Sequence, residues 1–230
     1  MDDGSKENSS PCLSISPQIL NDWIMECETK HNHPTIGNFT RHQLSIDILP
    51  IDVEENRLVE ATSKSRFFAL SYVWGKQEMF MTTSSNRYDM GKPGALCLPE
   101  CPIPPVFRDA MKLVSMPSER YLWVDALCIE QDNPSQKHQQ IKDMDIIYSQ
   151  AVVIIVALSV VDAQSSLPGV RPMTRLPSNV VATARRFRVR AGPPSFQCCL
   201  DNSEYETRAW TYQERTLSRR CLFFTNHENA

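Results

Sequence analysis

Hydrophobic positions in this chain switch between two spacings. Four short runs are bulky, β-branched or aromatic and unbroken, at residues 67–73, 121–124, 152–158 and 221–225, and read as strands. The run at 152–158, Val-Val-Ile-Ile-Val-Ala-Leu, has no polar face, so it is expected to be a central strand buried on both sides. Helical spacing falls between the runs. Residues 105–116 place Val106, Ala110, Leu113 and Val114 on one face, with Pro105 where its missing N–H costs little. Residues 135–148 turn Ile141, Met144, Ile147 and Tyr148 inward behind Ser135 as a cap, and residues 207–217 form a further helix. Strands separated by helices predict an α/β fold with a doubly wound, mostly parallel sheet.

Outside that alternation the pattern changes. Residues 1–16 are small, polar and charged, which predicts disorder. Residues 17–30 predict an amphipathic helix with Ile19, Leu20, Trp23, Ile24 and Cys27 on one face and Ser16 as N-cap. Two alternating runs in residues 44–59 suit an edge hairpin or meander. Residues 171–194 carry six Arg and no acid in an irregular pattern, which predicts an insertion or mobile loop. The expected organisation is therefore a disordered 1–16, an N-terminal helix and β extension over 17–65, and a main domain over 66–230.

Composition narrows the function classes. At 230 residues and 41% hydrophobic, the chain can bury one real core. A net charge of −3 argues against a general nucleic-acid binder, and the Arg-rich segment has few interleaved aromatics for base stacking. No apolar run approaches the roughly 18–20 residues of a membrane span. The polar N-terminus lacks a signal-peptide core, so the eight Cys are expected to be reduced thiols in a cytoplasmic protein. There is no P-loop, dinucleotide fingerprint or His-Glu-x-x-His motif.

Candidate chemistry sits where the strands end, because loops at the carboxyl ends of parallel strands handle ligands. Asp125 ends the second run, and Glu130, Gln131 and Asp132 follow in one loop. Its carboxylate can instead fix the 128–132 turn. Ser71, Tyr72, Trp74 and Gly75 end the first run, where a Gly turn can bring backbone N–H groups to a phosphate. Trp210 and Glu214 are four apart and so share a helix face, although Glu214 could equally pair with Arg215, Arg219 or Arg220 in solvent. Cys128 reads as a small buried apolar residue. Cys27 and His31 share a helix face, with His33 nearby, but no second ligand pair is evident and a structural helix without metal is expected. Cys97/Cys101 and Cys198/Cys199 match no metal spacing.

Three blocks, Ala-Leu-Ser-Tyr-Val-Trp-Gly ending at Gly75, Arg-Tyr-Leu-Trp-Val-Asp-Ala-Leu-Cys-Ile-Glu-Gln-Asp ending at Asp132, and Arg-Ala-Trp-Thr-Tyr-Gln-Glu-Arg ending at Arg215 and running into Leu217-Ser-Arg-Arg220, closely resemble the HET (heterokaryon incompatibility) domain of filamentous fungi. The resemblance covers roughly residues 66–225. It implies a distant relation to TIR domains and their flavodoxin-like sheet, with 67–73 as first strand, 152–158 as third and 221–225 as fourth; a fifth strand would be absent or replaced by the N-terminal hairpin. It implies a domain of fungal innate immunity that triggers programmed cell death in self/non-self recognition, through self-association or another cell-death protein. In TIR domains that cleave NAD, a Trp-x-x-x-Glu pattern on a helix after the third strand carries the catalytic Glu. By that resemblance Glu214 is the catalytic carboxylate, Trp210, Ser71, Trp74, Gly75 and Asp125 contact substrate, and NAD+ is a substrate with no resident cofactor. The alternatives are a non-enzymatic signalling module or an inactive truncated relative. Relatives often carry Trp-x-x-x-Cys-x-x-x-His-x-x-Cys near the N-terminus; this chain has Trp23, Cys27 and His31, but Pro34 stands at the last position.

Overall fold

Each of the four apolar runs contributes one parallel strand to a single sheet. A computed structural model describes residues 14–31, 44–175, 180–184 and 187–227. Helix α1 (Pro17–Lys30) comes first, followed by four two-residue strands: β1 (Asp47–Ile48), β2 (Ile51–Asp52), β3 (Arg57–Leu58) and β4 (Ala61–Thr62). Strand β5 (Phe68–Ser71), a short turn α2 (Arg87–Met90), helix α3 (Pro105–Ser115) and β6 (Tyr121–Trp123) come next. The chain continues through α4 (Asp125–Cys128), α5 (Pro134–Lys142), α6 (Met144–Gln150) and β7 (Val153–Val156). It ends with β8 (Val180–Ala184), β9 (Phe187–Ala191), α7 (Phe196–Asp201), α8 (Ala209–Leu217) and β10 (Cys221–Phe223).

The main sheet runs β10-β7-β5-β6-β2-β3. Strands β10, β7, β5 and β6 are parallel, with Cys221 opposite Ile154, Ala69 opposite Ile154, and Phe68 opposite Leu122. All four residues of β7 are buried, as a strand with helices on both faces requires. The chain moves one way from β5 to β6 and the other way from β6 to β7 and β10. Right-handed crossovers therefore place α3 on one face and α6 and α8 on the other. Side chains agree: Tyr72 meets Phe107 of α3 edge to face at 5.0 Å, and Trp123 meets Tyr148 of α6 at 5.7 Å. Ser71, alternating with Tyr72, consequently belongs to the α6–α8 face.

Several expectations change in detail. The hairpin β2–β3 is hydrogen-bonded to β6, so it extends the main sheet at the edge away from β10. Among the described residues no fifth parallel strand lies beside β10, and the hairpin does not take that place. It is fixed by Asp52, whose carboxylate accepts from the N–H groups of Glu54 and Glu55 and pairs with Arg120 at 2.7 Å. The predicted helix at 135–148 is two helices. Asn133, the residue before Pro134, caps the first by accepting from the Gln136 N–H at 3.2 Å, in place of Ser135. The break at Asp143 leaves polar α5 with no buried residue while α6 turns Ile146, Ile147 and Tyr148 into the core.

The Arg-rich segment is also more regular than expected. Its strands β8 and β9 form an antiparallel ribbon separate from the main sheet. The Arg cluster obscures an alternation with Val and Ala that suits a strand. On α1, Leu20 and Ile24 are buried, but Ile19 and Trp23 of the predicted inner face are about half exposed, at 47% and 46%. Ser16 holds the N-cap position without a side-chain bond. The expectations for residues 1–13 and for His33 and Pro34 fall outside the described residues.

Gly75 has a positive φ of 80°, and a Cβ there would meet the Asp162 Cβ at 2.5 Å. Both the backbone and the neighbour demand glycine. Gly75→Ala is expected to cost about 1–3 kcal/mol, read as a lower midpoint in chemical denaturation.

Candidate functional site

The parallel strands β5 and β6 deliver Ser71, Trp74 and Asp125 to the same edge of the sheet, and α8 brings Glu214 against them from the α6–α8 face. Glu214 is only 8% exposed. The Ser71 hydroxyl donates to Glu214 Oε2 and lies 2.6 Å from the Tyr205 hydroxyl, which can donate to it in turn. Ser71 and Tyr205 are themselves buried, so the pair lies beneath the surface and only Glu214 of the three reaches the cavity above.

Above it Asp125 is held at both oxygens. Oδ2 accepts from the Trp74 indole N–H at 2.7 Å, and Oδ1 from the Ala126 N–H at 2.7 Å. The Gln131 amide donates to the Asp125 backbone carbonyl at 3.0 Å, so the loop is tied to Asp125 through its main chain and not, as expected from sequence, through its carboxylate. Arg208 donates to the Tyr72 carbonyl and so anchors the start of α8 to the end of β5.

Trp74, Asp125 and Glu214 line a cavity of about 180 Å3 together with Arg208, Lys137 and Gln131. Ile129, Ile141 and Met144 form its apolar wall. Burial pushes the Glu214 carboxyl up to about 7, the Asp125 charge adds to the rise, and hydrogen bonding from Ser71 and Tyr148 together with the charge of Arg208 opposes it. Burial likewise raises Asp125, opposed by hydrogen bonding from Trp74, Tyr72 and Ala126 and by the charge of Arg208. The Tyr72 hydroxyl is buried beside Asp125, and burial, the Asp125 charge and its interaction with that carboxylate hold its pKa well above normal.

The site thus unites Trp74, Asp125 and Glu214 in one lining, with Ser71 directly beneath. Gly75 does not line the cavity and packs against Asp162. Trp210 lies on α8 one turn before Glu214, and its side chain is outside the described ones. Glu214 does not sit on a solvated face with its arginine neighbours: Arg215 pairs with Glu206 at 2.6 Å and Arg220 donates to the Val152 carbonyl. Tyr205, Lys137 and Arg208 were not singled out from sequence. Arg208 opens a Trp-rich block, which is a signal of sorts; Tyr205 and Lys137 carry none.

Cys128 is buried, accepts from the Val124 N–H at 3.1 Å, and burial raises its pKa, all of which suits an inert core thiol. Among the described residues no group of three or more His, Cys, Asp or Glu is arranged to hold a metal, and no helix is long and apolar enough to cross a membrane.

These features define an α/β domain with a carboxylate-lined cavity at the C-terminal edge of a mostly parallel sheet. Residues 67–214 match the family model described as Heterokaryon incompatibility protein (HET). The chain belongs to that family, and the match begins beside β5 and ends at Glu214 itself. No curated protein and no solved structure matches the chain.

Proposed function

We propose that this HET domain acts in programmed cell death as a TIR-like NAD+ glycohydrolase, with Glu214 as the catalytic carboxylate. The observation that carries the reading is Glu214 itself, a carboxylate nine-tenths buried yet lining a cavity. An adaptor domain has no need to keep an ionisable group in such a place, since burial of a charge is costly.

The chemistry is balanced by the residues present. Breaking the bond between ribose C1′ and the nicotinamide nitrogen sends the electron pair to neutral nicotinamide and leaves an oxocarbenium-like ribose. Ionised Glu214 stabilises that cation and takes the proton of the water that adds to C1′. Asp125, fixed at both oxygens, adds negative charge to the same cavity. Trp74 and the apolar wall suit one aromatic ring.

A volume of about 180 Å3 holds a ring and part of a sugar, well short of a whole dinucleotide. The remainder of the substrate would lie outside this cavity, where a second copy can complete the site. Nicotinamide release by purified protein should therefore rise more steeply than linearly with protein concentration. Release strictly proportional to concentration would remove the assembly step, and no release from folded protein at high concentration would favour a non-enzymatic signalling module.

A further inference from the structure

On the α3 face of the sheet, opposite the face that carries Glu214, lies a second cavity, of about 420 Å3. Three segments wall it: the turn after β2, the turn at residues 95–97, and α3 with the residues leading into it. Main-chain bonds fix the two turns together. The Leu96 N–H donates to the Asn56 carbonyl at 2.9 Å, and the Gly94 N–H to the Glu55 carbonyl at 2.7 Å. Val53, Leu96, Ile103 and Met111 are core residues that turn an apolar floor toward the cavity.

The rim above that floor is cationic. Arg108 and Lys112 stand one turn apart on α3 and both line the cavity, and no acid is among the described residues around it. Neither side chain forms an ion pair or a hydrogen bond among the described residues. A chain with 27 acids and 24 bases has carboxylates to spare, yet none is placed here. Asp109, the one acid of α3, is buried elsewhere: it pairs with Arg171 at 2.6 Å and accepts from the Leu167 N–H at 2.9 Å. Like charges at i and i+4 weaken a helix, so the pair gains nothing for α3 itself.

Floor and rim together select the occupant. The rim repels a metal ion. An inorganic anion would leave the apolar floor wet, and a neutral apolar molecule would leave both cations unneutralised. We propose that this cavity binds an organic anion with an apolar body, a carboxylate of the fatty-acid type. Its head lies between Arg108 and Lys112, where the guanidinium can grip both carboxylate oxygens, and its chain covers the floor. The volume lies in the ordinary range for small-molecule sites. The inference does not depend on what the Glu214 cavity does.

The test is calorimetric titration of the whole chain with octanoate, with 1-octanol as the body without the charge and acetate as the charge without the body. Saturable binding is expected for octanoate, at least tenfold tighter than for either control. It should weaken tenfold or more in Arg108→Gln/Lys112→Gln and stay unchanged in Lys64→Gln, outside the lining. Both substituted side chains are exposed, so the double variant keeps the fold. Cys97 is an exposed thiol in the lining and reports the location. Saturating octanoate should slow its alkylation by iodoacetamide without slowing that of Cys198, which is exposed elsewhere. Absence of saturable octanoate binding at millimolar concentration would overturn the proposal. So would equal binding of 1-octanol, binding that the double variant leaves unaltered, or alkylation of Cys97 at an unchanged rate.

Discussion

Glu214→Gln is expected to reduce nicotinamide release by at least about a hundredfold while leaving the fold intact. The amide keeps the size of the side chain and can still accept from Ser71, so the buried Tyr205–Ser71 chain persists. What it loses is the charge that would stabilise the ribose cation and the base that would accept a proton from water. The wild-type rate should carry a matching signature. Glu214 is pushed up to about 7, so activity should climb as pH rises through neutrality and fall away below about 6. Retained activity in the Gln variant, measured by nicotinamide release or by death of expressing cells, would show that this carboxylate is not the catalytic group. Activity that is flat between about pH 5 and 8 would separate Glu214 from the rate even if the variant is impaired.

The same substitution should raise stability in alkaline solution. A carboxyl whose pKa is higher in the folded than in the unfolded protein binds its proton more tightly when folded. Its contribution is fully present below the ordinary value of 4.5 and is lost as pH rises through about 7. Above that window the folded state bears a buried charge that the unfolded state solvates freely. The shift corresponds to roughly 3 kcal/mol, which Glu214→Gln would recover because glutamine never ionises. Thermal unfolding at about pH 8 should thus show a Tm several degrees higher for the variant, with little difference near pH 4. Equal Tm differences at both pH values would mean that the carboxylate titrates as an ordinary exposed acid. Together the two results would describe a site in which stability is given up to hold a reactive carboxylate in place.

The class of fold was legible because its signals are local. The run at 152–158 has no polar face, and such a run can only sit between covered faces; its strand, β7, is flanked by β10 and β5. The helix at 105–116 differs from α3 by a single terminal residue, since Pro at its start and a clean 3.6-residue stripe mark both its place and its inner face. Where two local signals competed, the reading slipped. Asn133-Pro134-Ser135 offers two capping side chains, and Asn133 takes the role because Pro134 is best placed in the first turn. The two Arg-rich strands were hidden because repeated charge masks a period of two.

The site was legible only in part. Asp125 and Trp74 stood out because each follows a strand, and position after a strand predicts the ligand edge of a parallel sheet. Tyr205 gave no signal: it lies 134 positions from Ser71, and nothing in its own neighbourhood says that a hydroxyl will be needed there. Glu214 was ambiguous for a similar reason, since four arginines stand within six residues of it and a surface ion pair was as natural a reading as a buried one.

By itself the sequence determined the alternation of strands and helices, the family, and the edge of the sheet at which Ser71, Trp74 and Asp125 lie. These follow from side-chain periodicity and from blocks of adjacent residues, both of which act over short stretches of chain. Only the tertiary structure decided which way Glu214 faces, that Ser71 and Tyr205 lie beneath it, and that Asp125 shares its cavity. Burial and electrostatic environment are set by residues far apart in sequence, and the protonation of a carboxylate depends on both.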